Sequence, residues 1–230
     1  LYEYFDVVNR LLGGSALGWM SIVGYVSGTT MICAAYLNST ETMIGVLTLN
    51  LLIIALISLF RIRFEPRVLD MIFWQVLGTL YIPVFLSYLI WMRNGQDGIY
   101  WIFYLFAVVF AGDSLAFYAG TLFGRHKLIP MVSPGKTVEG SLAGLAGNVA
   151  AGLLYRAFVS VPPSWTACLL ISLLIGIAAQ AGDLFESQIK RSAGVKDSGR
   201  LFPGHGGVLD RFDATLFAAP VVYLMRGILE

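Results

Sequence analysis

Residues 43–60 read MIGVLTLNLLIIALISLF, a run with no charged side chain and only Thr48, Asn50 and Ser58 as polar ones. A helix built from this run is apolar on every side, which suits lipid, where about 20 such residues cross the hydrocarbon core. It is short for that task, and a tilt or a locally thinner bilayer accommodates the difference. Working outward, comparable stretches occupy 16–37, 71–92, 99–122, 140–161, 164–186 and 208–229, with polar residues inside 140–161 and 208–229. The expected fold is therefore all-α, a polytopic transmembrane helical bundle with about seven spans.

The whole composition agrees. Of 230 residues, 57% are hydrophobic and 13% charged, against roughly 25% charged in an ordinary soluble domain; the mean hydropathy is +0.76. A net charge of +1, from 15 Lys and Arg against 14 Asp and Glu, has none of the basicity that nucleic acid demands. Cys33 and Cys168 lie in apolar stretches far apart, without zinc or disulfide spacing, and read as lipid-facing or core residues. The first ten residues are mixed polar and aromatic and do not form a three-part signal peptide.

The distribution of charge orients the chain. If the spans alternate, Arg10, Arg61, Arg63, Arg67, Arg125, Lys127, Lys136, Lys190, Arg191, Lys196, Arg200 and Arg211 reach one side, and Arg93, Arg156 and Arg226 the other, 12 against 3. The positive-inside rule makes the first side cytoplasmic. Trp91, Tyr100, Trp101 and Trp165 then fit an aromatic belt at the opposite interface. Two connections on the cytoplasmic side, 124–139 and 187–207, are long and rich in Gly, Lys, Arg and Asp; long loops in compact proteins are usually either functional or disordered, and the specific glycines and proline here argue against a mere linker. No internal repeat is visible.

Carboxylates near membrane helices are costly and mark function. Asp113, Asp183 and Glu186 fall near cytoplasmic helix ends, and Asp210 and Asp213 open the last span. Residues three apart share a helix face, so Asp183 with Glu186 and Asp210 with Asp213 are expected to form two acidic patches flanking a basic loop. Carboxylates beside Lys and Arg suit a hard divalent cation meeting phosphates; helix-end ion pairing is the plainer alternative. His205, in Pro203-Gly204-His205-Gly206-Gly207, sits on a turn whose N–H groups can approach an anion, with a structural role equally open. His126 reads as a solvated loop residue. Gly135-Lys136-Thr137 is not a P-loop, because Pro130 stands where that pattern needs glycine; Lys136 remains available to a phosphate as a point charge. Gly140, Gly144, Gly147 and Ala151 form a small-residue stripe for close helix packing.

The run Ser187-x-x-Lys190-Arg191, Lys196-Asp197 and Pro203-Gly204-His205-Gly206-Gly207-x-x-Asp210-Arg211-x-Asp213 closely resembles the signature of the phosphatidate cytidylyltransferases, also called CDP-diacylglycerol synthases. Upstream, Gly112-Asp113, Phe123-Gly124-Arg125, Ser133-Pro134-Gly135-Lys136-Thr137, Glu139-Gly140 and Gly182-Asp183-Leu184-x-Glu186-Ser187 agree with the same family's C-terminal half. Before Ala111 the likeness is hydropathic, and the family's additional N-terminal helices are expected ahead of Leu1. The resemblance divides the chain into N-terminal transmembrane helices, 1–98, and a C-terminal catalytic transmembrane domain with two cytoplasmic loops, 99–230.

The resemblance implies transfer of CMP from CTP to phosphatidic acid, giving CDP-diacylglycerol and pyrophosphate, in a bacterial inner membrane with the active site facing the cytoplasm. It implies Asp183, Asp210 and Asp213 as ligands of Mg²⁺, with a monovalent cation such as K⁺ beside it. Catalytic roles fall to Lys136, Lys190, Arg191, Lys196, Asp197, His205 and Arg211, and substrate binding to Asp113, Ser133, Lys136, Lys190, Arg191 and Lys196. The partners are CTP, phosphatidic acid and membrane lipids, with a homodimer as a family analogy and no nucleic acid. Competing expectations are a different lipid acceptor, such as an archaeol phosphate or a polyprenol, and an ion-coupled transporter. The transporter requires carboxylates at mid-membrane and repeat symmetry, neither of which the sequence offers.

Overall fold

The structure, a computed structural model, describes residues 1–13, 18–161, 164–201, 204 and 206–229. The helices among them are α1 (Tyr2–Leu11), α2 (Gly18–Tyr36), α3 (Thr40–Arg61), α4 (Val68–Thr79), α5 (Phe85–Asn94), α6 (Gly98–Phe123), α7 (Val138–Phe158), α8 (Trp165–Ser192) and α9 (Leu209–Leu229). A π-helical turn at Leu80–Val84 joins α4 to α5. Within the described residues, each stretch read as a span is mainly helical. Among the described residues, four segments are long and apolar enough to cross a membrane: Thr40–Arg61, Val68–Asn94, Gly98–Phe123 and Trp165–Ser192. This is a helical membrane protein. Helices α2, α7 and α9 fall short of that measure because Gly, Ser, Thr, Asn and charged residues dilute their apolar content.

The chain divides into two units: Leu1–Trp91 with Ile189–Arg211, and Met92–Gln188 with Phe212–Glu230. In the first, α1 is an amphipathic helix that the hydropathy reading omits, because its ten residues are too few and too polar for a span. Its buried face carries Tyr4, Phe5, Val7 and Val8. Tyr4 donates to the Trp74 carbonyl at 2.9 Å, and glycines admit both rings: a Cβ on Gly24 would lie 2.6 Å from Phe5, and one on Gly78 would overlap Tyr4. The span read at 71–92 is interrupted at Pro83, whose missing N–H and ring break the helical ladder. Ser87 donates to the Pro83 carbonyl at 2.8 Å, and Thr79 to the Gln75 carbonyl at 2.9 Å, each hydroxyl bonding back one turn along its own segment.

In the second unit α7 lies against α6 through the small-residue stripe. A Cβ on Gly140 would stand 2.7 Å from the Ala116 carbonyl oxygen, and one on Gly144 would be 3.0 Å from the Ala116 methyl. Asn148 is 2% exposed and donates to the Val108 carbonyl at 2.8 Å, filling the space that Gly112 leaves. Because the obstacle at Gly140 is backbone, Gly140→Leu must push the helices apart. The expected cost is about 1–3 kcal/mol, as for an overpacked core, read as a lower Tm of the detergent-solubilised protein. Helix α8 reaches α7 through the hydrogen-bonded pair Ser141 and Gln180, and reaches α9 at Gly182, where a Cβ would meet the Asp213 carbonyl oxygen at 2.6 Å.

Three local expectations are corrected. The connection 124–139 contains an antiparallel hairpin, β1 (Lys127–Ile129) against β2 (Ser133–Thr137), with a register irregularity between Lys127 and Ile129. Helix α8 continues through Ser192, so Ser187, Lys190 and Arg191 are helical rather than loop; its basic last turn complements the helix dipole, and Gly194 at φ +68° follows it. Trp101 is fully buried, with the Arg226 guanidinium 5.7 Å from its ring centroid, and is no member of an interfacial belt. Tyr100 and Trp165 are half exposed. Cys33 is exposed and Cys168 buried, and neither forms a disulfide.

Candidate functional site

In the second unit the polar elements begin with the hairpin. Thr137 ends β2 and caps α7, its hydroxyl accepting from the Gly140 N–H at 3.1 Å. Two residues on, Glu139 reaches back to accept from the N–H groups of Arg125, at 3.1 Å, and His126, at 3.2 Å, with the His126 Nδ1 2.6 Å away. Its own backbone N–H, the His126 ring and these N–H groups hold the Glu139 carboxyl at about 2, well below the ordinary carboxylate value of 4.5. A depressed carboxylate contributes above its ordinary value, so this clasp is intact at neutral pH and weakens as pH falls through that window. His126 is exposed, as expected of a loop residue, yet it is tied to Glu139.

The clasp fixes the strand that carries Lys136. Its ammonium lies 2.5 Å from Asp183 Oδ2 on α8, with the side chains 28% and 36% exposed. Ser187 donates toward the other Asp183 oxygen at 3.4 Å, and Asp113 on α6 is close enough to interact electrostatically with both Asp183 and Lys136. Ser133 begins β2. Asp183 and Glu186 lie three residues apart on α8, and Glu186 is 1% exposed. Asp213, 9% exposed, accepts from the Ala214 N–H at 2.7 Å.

In the first unit Lys190 and Asp210 form the corresponding pair. The ammonium is 2.5 Å from Asp210 Oδ1, and the two side chains are 11% and 9% exposed. The other oxygen, Oδ2, accepts from the N–H and hydroxyl of Ser198, both at 2.9 Å, and from the Gly207 N–H at 2.7 Å. Gly206, at φ +80°, is required there, since a Cβ would stand 2.5 Å from that same oxygen. Arg191 donates to the Val195 carbonyl at 3.1 Å, bracing the turn after α8. Lys196, Asp197 and Arg211 are exposed; His205 lies outside the described residues. Glu3 on α1 joins this network by accepting from the N–H groups of Val208 and Leu209, at 2.9 and 2.7 Å. Sequence reasoning passed over Glu3 and Ser198. The available signal was the acid in the first turn of a short amphipathic helix, but its partners are some two hundred positions away.

Among the described residues no three His, Cys, Asp or Glu side chains are grouped to hold a metal. Mg²⁺ needs only one or two protein carboxylates when substrate phosphates complete its shell. Asp183 and Asp210 each hold a compact cation already, a lysine ammonium, so these oxygen donors suit such an ion.

Each unit thus carries a lysine–aspartate pair, Lys136 with Asp183 and Lys190 with Asp210, in a helical membrane protein. The chain belongs to the cytidylyltransferase family, whose model matches residues 1–229. It is 32% identical to the phosphatidate cytidylyltransferase of Staphylococcus saprophyticus over 235 aligned positions, covering 98% of this chain and 88% of that protein. The enzyme of the same name from Bacillus subtilis is 39% identical over 160 residues, 69% of this chain and 60% of its own length. That from Brucella abortus is 44% identical over 156 residues, 67% of this chain and 57% of its own. The matched region thus spans less than two thirds of the last two relatives.

Proposed function

We propose that this chain transfers CMP from CTP to phosphatidic acid, forming CDP-diacylglycerol and pyrophosphate. The observation that carries the reading is the Lys190–Asp210 pair, locked into the chain around the glycine-rich turn by four hydrogen bonds on one carboxylate, within a family match over nearly the whole chain. A phosphate oxygen of the lipid attacks the α-phosphorus of CTP; the bond from that phosphorus to the bridging oxygen breaks, and pyrophosphate leaves with the electron pair. The attacking group is already anionic, so positioning and charge neutralisation dominate, and no strong base is needed.

Lys136 and Lys190 are held by their aspartates, which orients each ammonium before substrate arrives. Lys196 and Arg211, exposed, meet phosphate oxygens, as does Arg191 from the end of α8; Ser133, Asp113, Asp197 and His205 complete the candidate binding and catalytic groups. Asp183, Asp210 and Asp213 are the candidate ligands of Mg²⁺, which when bound neutralises the charge growing on the transferring phosphate. A monovalent cation, K⁺ by preference, and a homodimer belong to the same proposal. All seven hydrophobic helices span the membrane, with the twelve-cation side in the cytoplasm of a bacterial cell.

The test offers purified protein CTP with phosphatidic acid, archaeol phosphate or a polyprenyl phosphate, with Mg²⁺ present and then chelated. Magnesium-dependent product formed with phosphatidic acid by preference supports the reading. Preference for another acceptor overturns the lipid assignment.

A further inference from the structure

We propose that Glu3 is a positioning residue, clamping the two chain segments on either side of the glycine-rich turn so that Asp210 is presented to Lys190. Glu3 Oε1 accepts from the Val208 N–H at 2.9 Å, and Oε2 from the Leu209 N–H at 2.7 Å. These N–H groups open α9 and have no intrahelical acceptor, so a carboxylate from the far end of the chain supplies one at the helix's positive pole. The next N–H back, that of Gly207, goes to Asp210 Oδ2. Three successive peptide N–H groups are thus shared between two carboxylates. The Ser198 hydroxyl lies between the same two, 2.9 Å from Asp210 Oδ2 and 3.3 Å from Glu3 Oε2.

The glycines show that the chain is shaped around this carboxylate. A Cβ on Gly199 would stand 2.6 Å from Glu3 Oε1, and one on Gly207 would stand 2.5 Å from Oε2. The two glycines lie before and after the turn, and both leave room for the same group. Glu3 itself rides on a helix whose Tyr4 and Phe5 are 1% and 2% exposed, so its own position is fixed by packing. It touches no reacting group; it sets where the acceptor oxygens of Asp210 lie.

The functional half of this proposal rests on the nucleotidyl transfer proposed above, and the test separates the two. Hydrogen exchange at the Val208 and Leu209 amides is measured in the full chain and in Glu3→Ala and Glu3→Gln. The KM for CTP is measured in the same samples. Exchange at both amides should accelerate at least about tenfold in Glu3→Ala and less in Glu3→Gln, which retains one acceptor oxygen. The KM should rise about fivefold or more, with partial recovery in Glu3→Gln, whereas a smaller folded fraction lowers only the apparent kcat. Unchanged exchange in Glu3→Ala overturns the clamp, and faster exchange with unchanged KM and kcat overturns its positioning role. If Glu3→Ala does not fold, Glu3→Gln, nearly the same shape, carries both readouts. Should the unaltered chain make no product, the transfer reading falls, while the exchange data still decide the clamp.

Discussion

Asp210→Ala should lower turnover by at least about 10³-fold and leave a helical, detergent-soluble protein. The loss has two sources. One is electrostatic: a preorganised donor to charge developing in a transition state is typically worth about 10²–10³ in rate, and Asp210 orients the Lys190 ammonium and is also a candidate cation ligand. The other is positional, because its removal leaves the Lys190 ammonium, the Ser198 N–H and the Gly207 N–H without the acceptor they share. Removing one partner of a buried ion pair costs up to roughly 3–5 kcal/mol, and the 11% exposure of Lys190 lets water relieve part of that. Asp210→Asn separates the sources, since it keeps the size and one carbonyl acceptor while losing the charge. It should match Asp210→Ala in lost turnover yet fall less in Tm. Near-normal turnover by either variant contradicts the role assigned to Asp210.

Lys136→Met should lower kcat/KM for CTP by about 10²-fold, the scale of one strong charge-assisted contact to a phosphate. The side chain lies against Asp183 on a strand fixed by Thr137 and Glu139, so the ammonium is directed rather than merely nearby. Lys136→Arg should recover little of the loss, because a planar fork does not reproduce a compact ammonium 2.5 Å from one carboxylate oxygen. The double variant Lys136→Met with Asp183→Asn should be less impaired than the product of the single losses, as residues acting in one unit are. A kcat/KM change below about threefold for Lys136→Met removes it from the site.

The apolar helices were readable because a membrane helix declares itself by composition alone: 43–60 has no residue that would stop it, and α3 indeed runs Thr40–Arg61. Elements whose identity depends on partners were not. Helix α1 is stabilised by glycines in α2 and α4 that make room for Tyr4 and Phe5, and nothing in ten residues announces them. The hairpin depends on Glu139 collecting N–H groups thirteen and fourteen positions away. Helix α8 outruns its apolar segment because Ser187 to Arg191 contain nothing that ends a helix, and hydropathy marks where lipid stops rather than where hydrogen bonding does. At the site, the types of residue were legible, lysines and aspartates in a long motif. Their pairing, Lys136 with Asp183 and Lys190 with Asp210, was not, because each partner belongs to a different element.

In the proposed reaction the α-phosphorus of CTP moves to a lipid phosphate. The most direct measurement incubates the purified protein with phosphatidic acid and CTP labelled either at the α- or at the γ-phosphorus, then extracts the lipid phase. α-Label should enter the lipid phase while γ-label stays in water as pyrophosphate. Label from the γ-position in the lipid, or α-label that never leaves the aqueous phase, contradicts that reaction.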